Sequence, residues 1–253
     1  MRLMIVDDEK YVRAETVAMI KTFLSDCEVV DFGECSEAMD YIREQGADIA
    51  LLDVNMGVMD GPTLARKLKN IDPNMKVIFV TGYREHRDND LLTSWYLTKP
   101  VSQEALVSQI EKVNHNWVSP SGICAVTFGN FMLYVDGKPL SDMSEKAREI
   151  LAYLIDKKGE KVKDTELKDA IFGGDSKAQK LALGQLSDTL KKAGASGILD
   201  KGLFSFKVKT DAFSCDMYEW FEGYPNAINS FMGEYMKGYS WGEDTLRIIR
   251  SGD

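Results

Sequence analysis

Ile49-Ala50-Leu51-Leu52-Asp53-Val54-Asn55 carries four apolar residues directly into an acid. A short uninterrupted apolar run suits a strand covered on both faces, because a half-exposed strand would alternate. Three comparable runs surround it, at 3–6, 28–32 and 77–80, and a shorter one stands at 95–97. Amphipathic stretches lie between them. Val12, Met19, Ile20 and Phe23 share one helical face, and Leu106, Ile110 and Val113 share another. Strand alternating with helix describes a parallel sheet with helices on both sides.

The order predicts an α/β, flavodoxin-like, doubly wound parallel sheet of five strands. Such sheets place their chemistry beyond the carboxyl ends of the strands. At those ends this chain carries Asp7-Asp8, then Asp53-Val54-Asn55, then Thr81-Gly82, then Lys99-Pro100. Each pair alone is commonplace, and adjacent acids after a strand are often a helix cap. Together they bring three carboxylates, a hydroxyl and an ammonium to one edge. Crowded carboxylates repel, and a hard divalent cation resolves that; Mg²⁺ fits better than calcium, since no calcium-loop spacing is present. A carboxylate held by Mg²⁺ beside a lysine is also what attack on a phosphoryl group requires.

The set Asp7-Asp8, Asp53, Asp60-Gly61, Thr81 and Lys99-Pro100 resembles the receiver family of two-component signalling, over residues 1–116. The resemblance implies that Asp8 ligates Mg²⁺ directly and Asp7 largely through water. It implies that Asp53 is both ligand and phospho-acceptor, with the main-chain carbonyl of Asn55 completing the protein ligands. Lys99 would pair with the phosphoryl group and Thr81 would turn its hydroxyl toward it. Tyr96 matches the aromatic that changes rotamer in the family. A sensor histidine kinase is the implied donor. Two departures stand out: Met56-Gly57 replaces the usual Met-Pro, and the polar segment between Thr81 and Lys99 is short, which predicts a short or poorly formed fourth helix.

The net charge of −9 is uneven. Residues 1–120 hold 13 Lys/Arg against 20 Asp/Glu, residues 121–217 hold 15 against 14, and residues 218–253 hold 3 against 6. Two units with different roles are expected. Four cysteines without CxxC spacing and only two histidines argue against zinc and for reduced thiols in a cytoplasmic protein. Nothing resembles a secretory signal or a membrane span, so no membrane partner is expected.

Turn formers at 117–123 predict a linker. Beyond it lie strand-like runs at 125–129, 131–135 and 138–140, the last two joined by an Asp136-Gly137 turn. Helices are expected at 145–157, 165–172 (capped by Asp164 or Thr165 and ended by Gly173-Gly174) and 176–193, where Leu183, Leu186 and Leu190 repeat. A hairpin over 198–208 turns at Asp200-Lys201-Gly202. This order predicts a winged helix-turn-helix output domain at 124–217, followed by a helical tail at 218–253. The motifs Phe128-Gly129-Asn130-Phe131, Asp136-Gly137-Lys138-Pro139-Leu140 and the stretch from Lys146 to Leu154 are similar to the winged-helix domain of the Streptomyces antibiotic regulatory protein family, relatives of the OmpR-type regulators. Met232-Gly233-Glu234-Tyr235 with Trp241 looks like the start of the helical activation domain that often follows.

That resemblance implies a recognition helix in the major groove, with Lys177, Gln179, Lys180, Gln185 and Ser187 as DNA contacts and Lys201 at the wing. Yet no arginine stands between Arg148 and Arg247, so the commonest guanine contact is missing. Two outputs therefore stay open: a phosphorylation-regulated transcription factor that binds DNA and admits a homodimer, or an output that binds protein. A phosphatase would need a second acid two residues past Asp53, where Asn55 stands, so self-dephosphorylation is the only catalysis expected.

Overall fold

The computed structural model describes residues 1–24, 27–82, 96–112 and 122–251. The chain divides into two compact units. The first contains residues 1–117, 220–233 and 249–253, and the second contains residues 118–219 and 234–248. Among the described residues no helix is long and apolar enough to cross a membrane.

In the first unit β1 (Arg2–Val6), β2 (Glu28–Phe32), β3 (Ile49–Asp53), β4 (Lys76–Thr81) and β5 (Tyr96–Thr98) form one parallel sheet in the order β2-β1-β3-β4-β5. The connecting helices are α1 (Lys10–Phe23), α2 (Cys35–Gln45) and α3 (Gly61–Ile71), and α4 (Gln103–Lys112) follows β5. The expected flavodoxin-like sheet is present. Both faces of its centre are dry: Leu3 and Ile5 point one way, Met4 and Val6 the other, and all four are buried. Each such side chain contributes about 1.5–3 kcal/mol of burial. Leu51, Ile78, Leu97 and Leu106 extend one of these cores, with Ile20 of α1 packed on it.

The face of α1 differs from expectation. Phe23 is half exposed, while Thr16 and Ile20 are buried and Leu24 packs against the core. Positions 16, 20 and 24 lie on one i+4 ridge, and Phe23 falls off it. Thr16 is tolerated inside because its hydroxyl donates to the Val12 carbonyl at 3.0 Å. Trp95, Val113, the expected short fourth helix and most of the expected linker lie outside the described residues.

In the second unit β6 (Ile123–Val126), β7 (Met132–Val135), β8 (Lys138–Pro139) and β12 (Ser214–Cys215) form a sheet ordered β12-β6-β7-β8. Asp136 and Gly137 both take positive φ, 47° and 71°, the turn their pairing foretold. Three helices follow, α5 (Glu145–Asp156), α6 (Asp164–Phe172) and α7 (Ser176–Lys192), with β9 (Val162–Lys163) before α6. β10 (Leu199–Lys201) and β11 (Ser205–Val208) make a hairpin against β9. Its turn lies later than expected: Gly202 N–H donates to the Ser205 carbonyl at 2.8 Å, which leaves Leu203 and Phe204 exposed at the tip. Lys163, not Asp164 or Thr165, precedes α6 as its cap residue. Gly173 ends that helix in the left-handed region, and Asp175 caps α7 by accepting from the Lys177 and Ala178 N–H groups. Along α7 the buried residues are Gln179, Ala182, Leu186 and Leu190, with Leu183 half-buried.

The C-terminal residues form α8 (Asp216–Phe221), α9 (Pro225–Ser230) and α10 (Glu243–Ser251). α9 belongs to the first unit.

Candidate functional site

Parallel register brings the strand ends into one place. Val6 pairs with Leu52, Asp53 with Val80, and Thr81 with Thr98. The residues that end or follow these strands, Asp7, Asp53, Thr81 and Lys99, therefore gather at one edge. Asp7, Asp53 and Thr81 are each 4% exposed, whereas Asp8 is open to solvent. Carboxylate oxygens of Asp7, Asp8 and Asp53 all lie within 4.8 Å of one another.

Lys99 is the positive centre of this cluster. Its ammonium lies 2.9 Å from Asp7 Oδ2, 2.9 Å from Asp53 Oδ1 and 3.2 Å from Glu9 Oε1. Burial works against that ammonium, but its hydrogen bonds to Asp7 and Asp53 outweigh burial and hold it above its ordinary range. Burial pushes the Asp53 carboxyl up. The Lys99 hydrogen bond and charge pull it down, and Asp7 and Asp8 add to the rise. An all-oxygen donor set with excess negative charge and one open carboxylate fits a hard divalent cation.

Backbone groups hold these side chains. Asp7 Oδ1 accepts from the Glu9 N–H at 2.8 Å, and its carbonyl accepts from Arg13, which also reaches Asp31 at 2.9 Å. Gly57 N–H donates to Asp8 Oδ2 at 3.2 Å. A proline at 57 would have no N–H to give, so the departure from Met-Pro supplies a donor to the open acid. Asn55 is exposed two residues past Asp53. Tyr96 is half-buried with its ring 5.6 Å from that of Phe79. Burial, with Tyr224 nearby, pushes its phenol up to about 12.

Glu9, Arg13 and the steric role of Gly61 were not foreseen. Glu9 directly follows the acid pair, a position that would have pointed to it. Gly61 opens α3 under the Asp60 cap, whose carboxylate accepts from Thr63 N–H at 2.7 Å. A Cβ on Gly61 would stand 2.3 Å from the Asp53 carbonyl oxygen, a backbone atom that cannot swing aside. Gly61→Ala is expected to shift the 53–54 peptide and lower stability in urea melts by about 1–3 kcal/mol. Wild-type stability with unmoved amide resonances at 53 and 54 would refute this.

In the second unit the residues expected to contact DNA do not share one fate. Lys177, Lys180 and Lys201 are exposed, Ser187 is half-buried, and Gln185 is exposed but accepts from Ser144 Oγ at 2.7 Å. Gln179 corrects the expectation. It is 2% exposed, and its amide donates to the carbonyl and carboxylate of Asp164 at 2.9 and 3.1 Å. Asp164 is itself the first residue of α6, so Lys163 takes the cap position. Lys161 and Lys163 are further exposed lysines beside the hairpin.

Comparison with known proteins agrees with the first unit. Residues 3–111 match the family described as response regulator receiver domain. The sensory transduction protein LytT of Bacillus subtilis is 28% identical over 116 residues, 44% of this chain and 47% of LytT. The response regulator receiver protein CpdR of Brucella abortus is 29% identical over 116 residues, 44% of this chain and 95% of CpdR. A CheY-like receiver domain protein from Methanospirillum hungatei has a solved structure, 28% identical, covering 44% of this chain and 90% of its own, with a TM-score of 0.38. The matches cover about half the length of the first curated relatives, 47% and 44%. With its acid cluster, lysine and sheet order in place, the N-terminal region, residues 3–111, is a response regulator receiver domain.

Proposed function

We propose that the chain is a response regulator whose Asp53 accepts a phosphoryl group from a sensor histidine kinase and whose second unit binds DNA. The observation that carries the first half is the Asp7–Lys99–Asp53 bridge, with both contacts at 2.9 Å. An Asp53 oxygen attacks phosphorus, and the bond to the kinase imidazole nitrogen breaks as that nitrogen takes the electron pair. Lys99 stays beside the equatorial oxygens, and Thr81 turns its hydroxyl to them. Asp7, Asp8, Asp53 and the Asn55 carbonyl would hold Mg²⁺, which when bound neutralises charge on the phosphoryl oxygens. Tyr96 follows Thr81 inward. A titration with a small phosphodonor and Mg²⁺, followed by mass and by sedimentation, tests acceptor chemistry and dimer formation together. No added mass would end the reading.

DNA binding is supported by three helices followed by a lysine-flanked hairpin, the order of a winged helix-turn-helix. α7 would enter the major groove with Lys177, Lys180, Gln185 and Ser187, and Lys201 would sit at the wing. Lysine contacts to phosphate are salt-dependent. If four phosphates are neutralised, affinity for mixed duplex falls about 100-fold between about 50 and 200 mM salt. Binding that ignores salt, or none in either phosphorylation state, favours the second reading. In that reading the output binds protein, and the absence of arginine between Arg148 and Arg247 is what recommends it.

A further inference from the structure

Asn229 is buried, and its amide does what a neighbouring strand would do. Its Oδ1 accepts from the Val77 N–H at 2.7 Å and its Nδ2 donates to the Val77 carbonyl at 2.8 Å. Among the described residues β5 pairs with β4 over Phe79, Val80 and Thr81, so Val77 lies short of that paired stretch. The helix that carries Asn229, α9, packs on both β4 and α3. Right-handed crossovers from β3 to β4 and from β4 to β5 progress in one direction and put their helices on one face. The place beside α3 and against β4 is therefore where a right-handed β4-to-β5 crossover carries a helix in sheets of this order. Here the segment that carries Asn229, 152 positions after Val77, stands against both elements.

The segment also packs on the residue after Gly61 and passes near Tyr96. Gly223 has φ +81°, and a Cβ there would come within 2.8 Å of the Pro62 Cβ. Pro62 follows Gly61, the residue pressed against the Asp53 carbonyl. The next residue, Tyr224, is near enough to Tyr96 to affect its ionisation. Trp220 and Phe231, both fully buried with rings 4.8 Å apart, close the segment on itself. Arg250 donates to the Gly233 carbonyl at 2.8 Å, and Asn70 of α3 donates to the carbonyls of Ile249 and Arg250 at 3.0 and 2.9 Å.

We propose that residues 220–233 are the receiver's own fourth switch element, a strap seated on the α3–β4 face that loosens when Asp53 carries a phosphoryl group. The inference rests on the acceptor reading of Asp53. Phosphorylation draws Thr81 and then Tyr96 inward, away from Tyr224, and shifts the start of α3 beneath Gly223. Both ends of the strap continue into residues of the second unit, at 219 and 234. Its release is thereby delivered along the chain itself.

Hydrogen exchange on the full chain tests this, with beryllium fluoride and Mg²⁺ standing in for the phosphoryl group. Amides in 220–233 are expected to lose protection several-fold in wild type and to stay unchanged in Asp53→Asn. Coupling is reciprocal, so loosening the strap must favour the phosphoryl-like state by the same factor. Gly223→Ala, which drives the strap off Pro62, and the milder Tyr224→Ala are each expected to bind beryllium fluoride about 5- to 100-fold more tightly. If wild type binds beryllium fluoride while the strap keeps its protection and Tyr224→Ala binds as wild type, the strap is structural and the proposal falls. Failure of wild type to bind beryllium fluoride or take up label overturns the acceptor reading, and this inference with it.

Discussion

The full chain carrying Asp53→Asn is expected to keep its starting mass after treatment with a small phosphodonor and Mg²⁺, while wild type gains one phosphoryl group. The amide has the shape of the carboxylate but no anionic oxygen to attack phosphorus. The fold should tolerate the change. Burial already pushes the Asp53 carboxyl up, so the metal-free site resists its charge, and Lys99 retains Asp7 and Glu9 as partners. A melting temperature near that of wild type therefore accompanies complete loss of uptake. Lys99→Met separates nucleophile from electrostatics. Asp53 remains, but the carboxylates lose their shared cation, and uptake should slow by about 10²–10³-fold, the cost of removing one well-placed charge-stabilising donor. Labelling at the wild-type rate would show the bridge to be structural only.

Asp216→Ala is expected to cause the largest loss of stability, about 3–5 kcal/mol in urea melts. Asp216 is fully buried in the second unit, where it accepts from Thr127 N–H and Oγ1, Phe128 N–H and Met217 N–H, at 2.5–3.0 Å. Truncation leaves those donors buried and unanswered. Burial pushes this carboxyl up to about 6, against the Thr127 hydrogen bond and the backbone N–H groups that hold it down. An unfolded aspartate titrates near about 4. Between these values the folded form keeps a proton the unfolded form has lost. The group's contribution is full below pH about 4, declines as pH rises through about 6 and is level above. The stability gap between wild type and Asp216→Ala should therefore narrow across that window. A gap that widens with pH would contradict the assignment.

The receiver half was legible because its information is local. Continuous apolar runs announce buried strands, and an acid or lysine after each run marks the end at which chemistry gathers. What escaped depends on partners distant in sequence. Gln179 looked like any polar residue on an amphipathic helix, and only the position of Asp164 turns it inward. Phe23 shared the periodicity of the α1 face, but the helix settles on the 16–20–24 ridge instead. Asp216 is one acid among many until β6 and α8 close over it. Gly61 was visible in the motif beside Asp60, yet its reason, the nearness of the Asp53 carbonyl, needed the packed acceptor loop. Asn229 had no local signal at all.

The Asn229–Val77 pairing spans 152 positions, and that separation orders events during synthesis. A chain made from its N-terminus usually completes its first domain while the rest is still emerging. Here β4 and α3 are made first, and the segment that packs on them is made about 150 residues later. The nascent receiver must wait for Asn229 to meet Val77 until those 152 further positions have been made. A pause or truncation before residue 220 would thus injure the unit that holds the N-terminal sheet.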